Sequence, residues 1–402
     1  MNKEYDIIII GAGPAGLFAG ASIKSGRKAL ILEKNNSAGK KLLMSGSGRC
    51  NITQSGPVAQ FTEHYGGAGR FIKPALMEFS NADLINFLNV RGMPTIERKG
   101  KIFPATENAS DVLNILLKEC KSMNTGISYN EPVAAIQRDG QSFIITPPRG
   151  SYSCPKALIA TGGRSYPTTG STGDGYMLAQ SLGHTLEKPK PALTPVFIED
   201  FKFAGISGVS IYSSKISLLR QGKLIHTSMG DIGFTHKGLT GPGILDMSRF
   251  IEAGDLLKVN LINQNPEFFR ESINSAAISS GRTTIKRYLK AFALPESLIR
   301  IILEEQKTDT GARLAEISKN TRQRLAGSLC GYEFSVNSTG GFNIAMATKG
   351  GVSLKEVSPK TMQSRIVPNL FFAGEVLDID GDTGGYNIQA AFSTGRMAAK
   401  SF

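Results

Sequence analysis

The sequence predicts an α/β protein in which a Rossmann-like dinucleotide-binding domain is built from both ends of the chain. A β-rich, barrel-like domain and then a helical domain interrupt it. Three observations predict this. The apolar run Ile7-Ile8-Ile9-Ile10 enters the glycine turn Gly11-Ala12-Gly13-Pro14-Ala15-Gly16. The next apolar run, Ala29-Leu30-Ile31-Leu32, is closed by an acidic residue, Glu33. Near the C-terminus a second strand ends in small residues, Asn369-Leu370-Phe371-Phe372-Ala373-Gly374-Glu375, and Gly384-Gly385-Tyr386-Asn387 opens a last helix. The boundaries drawn from these patterns give residues 1–193 and 335–402 to the nucleotide domain, 194–265 to the β-rich domain and 266–334 to the helical one.

The first element is a strand–turn–helix unit. Gly11 permits the tight turn, Gly13 lets backbone N–H groups approach a pyrophosphate, and Gly16 allows the helix to pack closely on the strand. The helix N-terminus then faces the phosphates with its unpaired N–H groups. Glu33 lies at the spacing where a carboxylate accepts hydrogen bonds from an adenosine ribose. Further along, Asn81 to Leu88 reads as an amphipathic helix, and Ser110 is the expected N-cap of another over Ser110 to Leu117. Ala157-Leu158-Ile159-Ala160-Thr161-Gly162-Gly163 is an apolar strand whose small terminal residues imply close backbone approach.

Lys188-Pro189-Lys190-Pro191-Ala192-Leu193-Thr194-Pro195 is too rich in proline to continue a helix or a central strand and marks a domain crossing. Short alternating strands follow, at Val209-Ser210-Ile211-Tyr212 and Lys215-Ile216-Ser217-Leu218-Leu219, with a turn at Gln221-Gly222. From Pro266 to about Leu329 the periodicity becomes helical. Ile285, Tyr288, Leu289 and Phe292 share one face, and Leu298, Ile301 and Ile302 another.

With 402 residues, 41% of them hydrophobic, the chain has the composition of a multi-domain globular protein. No apolar run reaches the roughly 20 residues needed to cross a bilayer, and the first apolar segment is needed as a strand, which argues against a signal peptide and a membrane partner. Cys50, Cys120, Cys154 and Cys330 are scattered, with no zinc-ligand spacing, so no metal site is expected and a cytoplasmic location with free thiols fits best. The net charge of +13 suits a polyanionic partner and equally an ordinary solvated surface.

The C-terminal segment points to FAD rather than NAD as the tightly held nucleotide. A flavin needs a carboxylate for its ribityl hydroxyls, which Glu375 offers, and a positive field at its pyrimidine edge, which a helix beginning near Gly385 supplies. Expected cofactor contacts are therefore Gly11, Ala12, Gly13, Pro14, Ala15 and Gly16, then Glu33 and Lys34. The strand end Thr161, Gly162 and Gly163 joins them, with Val133, as do Gly374, Glu375, Asp382, Gly385, Tyr386, Asn387 and Ile388. The glycine- and serine-rich loop after Glu33 adds Lys41, Ser45, Gly46, Gly48, Arg49, Cys50 and Asn51.

The segments from Gly39 to Asn51, from Phe234 to Pro242, and Gly374-Glu375-Val376-Leu377-Asp378 with Gly384-Gly385-Tyr386-Asn387 resemble those of the BaiN-like flavoproteins. That family has aminoacetone-oxidase and ribosomal-RNA dihydrouridine-synthase members. The resemblance runs along nearly the whole chain and implies an FAD domain with two insertions, the flavin ring facing the cleft between them. It does not choose between a small amine and an RNA base.

Three residues are candidates for the chemistry. Cys50, beside Arg49, would act as a thiolate if its pKa were lowered, or else simply packs. His236 in the Thr235-His236-Lys237-Gly238 turn is a proton donor or a structural hydrogen-bonder. Tyr386 flanks the ring or belongs to the core. The leading function is NAD(P)H-dependent reduction of a uridine in ribosomal RNA, hydride passing from flavin N5 to C6 while an acid protonates C5. The alternatives are a small-molecule flavin oxidase that makes hydrogen peroxide, a reductase of an unsaturated small molecule, and a flavin-bearing RNA-binding factor without turnover. No second glycine fingerprint exists for a separate nicotinamide site, so NAD(P)H is expected as a transient visitor.

Overall fold

A computed structural model of the chain describes residues 3–24 and 26–402. It divides into two compact units, one comprising the chain up to Ala192 together with Ala345–Phe402, the other Leu193–Ile344.

At the centre of the first unit is a parallel five-stranded sheet in the order Leu370–Phe372, Lys156–Ile159, Ile7–Ile10, Ala29–Leu32, Thr125–Ser128. All four isoleucines of Ile7–Ile10 are buried, because a parallel strand is covered on both faces. In register, Ile9 lies between Leu158 and Ile31. The helix Pro14–Gly20 covers one face and packs on the last helix, Tyr386–Lys400. That crossing is close: a Cβ on Gly395 would sit 2.4 Å from the Ala15 carbonyl oxygen. Phe18 fills the space beside it, edge-on to Phe87 and Phe392 and tilted against Phe79.

The expected helices are present with adjusted ends. Asn81–Asn89 starts at Ser80, which forms a capping box with Asp83. The other runs Ala109–Ser122, and its N-cap is Asn108, not Ser110: the Asn108 side chain accepts from the Ser110 N–H, so the helix begins a residue early. The proline-rich stretch forms a strand, Leu186–Ala192, in a two-stranded ribbon with Ala347–Val352. An edge position with an irregularity between Glu187 and Lys190 accommodates prolines that a central strand would reject.

The second unit is a closed six-stranded barrel in the order Val196–Ile198, Gly238–Thr240, Lys223–Phe234, Ser210–Arg220, Leu256–Asn260, Tyr332–Thr339. The two short strands read around 209–219 are one long strand with an irregularity between Ile211 and Ser214. Gln221 and Gly222 both have positive φ, 49° and 76°, the twist that a two-residue hairpin needs. The helices Pro266–Ser279, Ile285–Lys290, Glu296–Glu305 and Lys319–Cys330 share one hydrophobic core with the barrel. Because Tyr332–Thr339 closes that barrel, the chain returns to the first unit at Ala345 rather than at 335. Among the described residues no helix is long and apolar enough to cross a membrane.

Candidate functional site

The glycine turn separates three roles. Gly11 has φ of +105°, and a Cβ there would lie 2.6 Å from the Ala160 carbonyl oxygen of the neighbouring strand end. A Cβ on Gly16 would lie 2.0 Å from the Gly11 carbonyl oxygen, so helix and strand meet only because Gly16 has none. Gly13 differs: a Cβ there would touch nothing within 4 Å. It is the N-cap of Pro14–Gly20, and no side chain caps that helix. Open space over uncapped N–H groups is the geometry that an anionic pyrophosphate requires. Glu33 is buried beside it. One carboxylate oxygen accepts from the Ala12 N–H at 2.8 Å, the other from the Asn35 N–H and Nδ2 at 2.8 and 2.7 Å. Oε1, with both Asn35 donors, is thereby saturated, whereas Oε2, with one donor, keeps capacity for a further one such as a ribose hydroxyl. Lys34 is committed elsewhere, its Nζ 2.5 Å from Asp174.

Glu375 is where distant segments converge. Its Oε2 pairs with Lys41 Nζ at 2.7 Å, and its Oε1 accepts from Ser165 Oγ at 2.8 Å and the Thr348 N–H at 2.7 Å. Gly163 lets this network close, since a Cβ there would come within 2.5 Å of Thr348 Oγ1. Gly374 has φ of +76°, and a Cβ on it would press on Ala15. Gly162 also has positive φ, whereas the Thr161 hydroxyl is buried against Gly175 of the following helix. Val133 is half-buried at the edge of the same core.

In the loop after Glu33, Ser45 donates to the Leu42 carbonyl, and Gly46 and Gly48 take positive φ. Gly46 approaches the Asn51 N–H closely. Arg49 is exposed, with its guanidinium 5.9 Å from the Phe103 ring centroid. Cys50 is fully buried, and burial pushes its thiol up to about 11. That is opposite to the lowering a reactive thiolate needs, so the structure places Cys50 with the packing residues.

The last helix supplies the other half of the site. Gly384 and Gly385 have φ of 119° and 100°, and a Cβ on Gly385 would lie 2.7 Å from Thr53 Cα. Tyr386–Lys400 begins there with no side-chain cap, so its N-terminal field is unspent. Against this turn lie Thr53 and Gln54, whose buried Oγ1 and Oε1 have no hydrogen-bond partner among the described residues, and Asn51 Oδ1, two residues before Thr53, is buried and unpartnered in the same way. Orphaned acceptors beside uncapped N–H groups suit a ligand edge that carries both donors and acceptors. The site therefore fits a dinucleotide with a heterocyclic ring. Asn387 is occupied locally, accepting from the Gly381 N–H and donating to its carbonyl, both at 2.8 Å, and Ile388 is half-buried.

Tyr386 is buried, and Tyr65 donates its hydroxyl to the Tyr386 carbonyl at 2.8 Å. Burial holds the Tyr65 pKa far above its ordinary value, so it stays a neutral donor. On the other side of Tyr386 the His64 ring stacks at 4.1 Å, and His64 Nδ1 lies 3.0 Å from Asp382 Oδ2. Sequence reasoning selected Asp382 and Tyr386 but missed His64, which is 318 residues from Asp382. Its one local signal was a histidine immediately before Tyr65-Gly66-Gly67. His236 is exposed in the second unit, in a turn where Thr235 Oγ1 accepts from the Gly238 N–H at 3.1 Å.

The model of the HI0933-like protein Rossmann domain family matches residues 5–401. A ribosomal RNA dihydrouridine synthase of Haemophilus influenzae is 33% identical, over 100% of this chain and 99% of its own. A 3-dehydro-bile acid delta(4,6)-reductase of Clostridium scindens is 29% identical over the same shares. Among solved structures, a 3-ketosteroid-delta4-(5alpha)-dehydrogenase from Rhodococcus jostii has the same fold. It aligns with a TM-score of 0.52 at 14% identity, covering 99% of this chain and 97% of that one.

Proposed function

The chain belongs to the HI0933-like family of FAD-dependent oxidoreductases, and on that premise we propose that it reduces a uridine of ribosomal RNA to dihydrouridine with a nicotinamide cofactor as electron donor. One observation carries the reading: end-to-end likeness, at 33% identity, to a protein named for that activity. When bound, FAD supplies hydride transfer between a nicotinamide donor and a conjugated C=C bond. The turn from Gly11 to Gly16 would hold the pyrophosphate with backbone N–H groups, and Glu33 the adenosine ribose. Glu375, kept in place by Lys41 and Ser165, would take the ribityl chain. The uncapped start of Tyr386–Lys400 would stabilise negative charge on the ring.

An RNA substrate also needs phosphate contacts. The second unit offers Arg282 and Arg313, on neighbouring segments joined at Thr284 and Arg313 by a bridge. Both are exposed, and neither has an ion-pair partner among the described residues. Reduction of an unsaturated small molecule is the second reading, favoured by the likeness to the bile acid reductase.

The test is to purify the protein and measure its FAD content. Its anaerobic bleaching by NADH and NADPH is then followed, and dihydrouridine mapped in ribosomal RNA of cells with and without the gene. Loss of a dihydrouridine from cells lacking the gene is the expected result. Unchanged dihydrouridine, with reoxidation of the bleached protein by a steroid-like enone, would move the assignment to a small molecule. Rapid peroxide formation driven by an amine would make it an oxidase.

A further inference from the structure

His64 is held more firmly than a half-exposed histidine needs to be. Its side chain is 39% exposed, yet its backbone carbonyl accepts from the Asp382 N–H at 2.9 Å and its Nδ1 meets Asp382 Oδ2 at 3.0 Å. Its ring lies nearly parallel to Tyr386, at 17°. The next residue, Tyr65, is fixed to the Tyr386 carbonyl, so consecutive side chains grip one residue from two sides. Asp382 takes Nδ1, and Nε2 has no protein partner among the described residues. A carboxylate that fixes one ring nitrogen and leaves the other unpartnered on a partly exposed ring is the arrangement of an imidazole that handles a proton. This occurs at the turn from Gly381 to Gly385, where the last helix begins uncapped.

We propose that His64 is the proton donor of the reduction, an inference that rests on the reading above. Saturating the uridine C5=C6 bond consumes one hydride and one proton. The electron pair enters as hydride from the nicotinamide donor by way of FAD, and forms the new C–H bond at one carbon. The proton leaves Nε2 of the doubly protonated His64 for the other carbon while Nδ1–H still donates to Asp382, and the neutral imidazole then regains a proton at Nε2 from solvent. Asp382 acts as a positioning residue that holds the ring by Nδ1.

His64→Asn separates this role from a structural tie. The asparagine amide replaces Nδ1 as a donor to Asp382, whereas nothing replaces Nε2. The variant is expected to keep wild-type FAD content, melting temperature and bleaching by NADH or NADPH. Its reoxidation by ribosomal RNA from cells lacking the gene is expected to slow by at least about 100-fold. Asp382→Asn should slow the same step less than His64→Asn does. The second readout is imidazole ¹⁵N NMR of the protein without and with FAD, with His64 assigned by its loss in the variant. The Nε2 resonance should shift on addition of FAD more than Nδ1 does. Wild-type reoxidation by His64→Asn, or an Nε2 resonance indifferent to FAD, would overturn the proposal. A wild-type protein that bleaches but makes no dihydrouridine would overturn the uridine reading instead, and the NMR result would still decide His64.

Discussion

Gly13 and Gly16 stand three residues apart, and one added methyl group would have opposite consequences at the two. At Gly13 the methyl enters open space, so Gly13→Ala should leave the melting temperature of the FAD-free protein within a degree or two of wild type. It fills the space where a pyrophosphate would lie, and FAD content on purification should fall to a small fraction. At Gly16 the methyl would overlap a backbone oxygen that cannot move without displacing the strand. Gly16→Ala should therefore lose at least about 2–3 kcal/mol of stability, read by denaturant unfolding, and FAD with it. Equal effects at the two sites would contradict this division of roles. Both glycines were legible in the sequence because the turn is local: strand, turn and helix lie within fourteen residues, from Ile7 to Gly20. His64 was not legible, because what gives it meaning is Asp382 and Tyr386, brought alongside only by the tertiary fold. Cys50 could be read from sequence as a reactive thiolate or as a packing residue for a related reason. Its neighbour in sequence is cationic, but its surroundings in space are apolar, and burial dominates the thiol.

At the scale of elements, His184 joins the helix Asp174–Ser181 to the turn around Ser364. Nδ1 lies 3.2 Å from the Ala179 carbonyl and Nε2 2.7 Å from Ser364 Oγ. Ser364 Oγ already accepts from the Ile366 and Val367 N–H groups, so its own proton is free to go to Nε2. A protonated imidazole would set donor against donor. Burial likewise pushes the His184 pKa below its ordinary value. The folded state therefore refuses a proton that the unfolded chain accepts near pH 6.5. The stabilisation is complete above that pH and is lost as pH falls towards the lowered folded value. The melting temperature should fall more steeply between pH 7 and 5 in the wild type than in His184→Asn, and equal slopes would remove His184 from the account. Element identity was largely readable from periodicity and end signals, as at Asn81–Asn89. Exact ends were less so, since Asn108 and Ser110 are both good caps and only the backbone path decides between them. The strand Leu186–Ala192 escaped because proline excludes central strands but not ribbons.

For the whole molecule, the charge of +13 becomes informative only through placement. If Arg282 and Arg313 each neutralise one phosphate, the doubly reversed variant Arg282→Glu with Arg313→Glu should flatten the slope of log affinity against log salt. For ribosomal RNA fragments the change should be about 1.5, with FAD content unaltered. An unchanged slope would place the RNA elsewhere. The two-ended assembly of the nucleotide unit was legible because each end carries its own strand and glycine signal. That barrel and helices share one core was not, since core membership depends on which apolar faces meet. The two-ended sheet also sets an order of events during synthesis. Leu370–Phe372 pairs with Lys156–Ile159, and more than 200 residues separate them in the chain, as 370 − 159 = 211. The continuous segment Leu193–Ile344 has all its own strands once it leaves the ribosome. Ile7–Ile10 and its neighbours must wait, with one edge of their sheet uncovered, until the last part of the chain emerges, and only then does a complete nucleotide cradle exist.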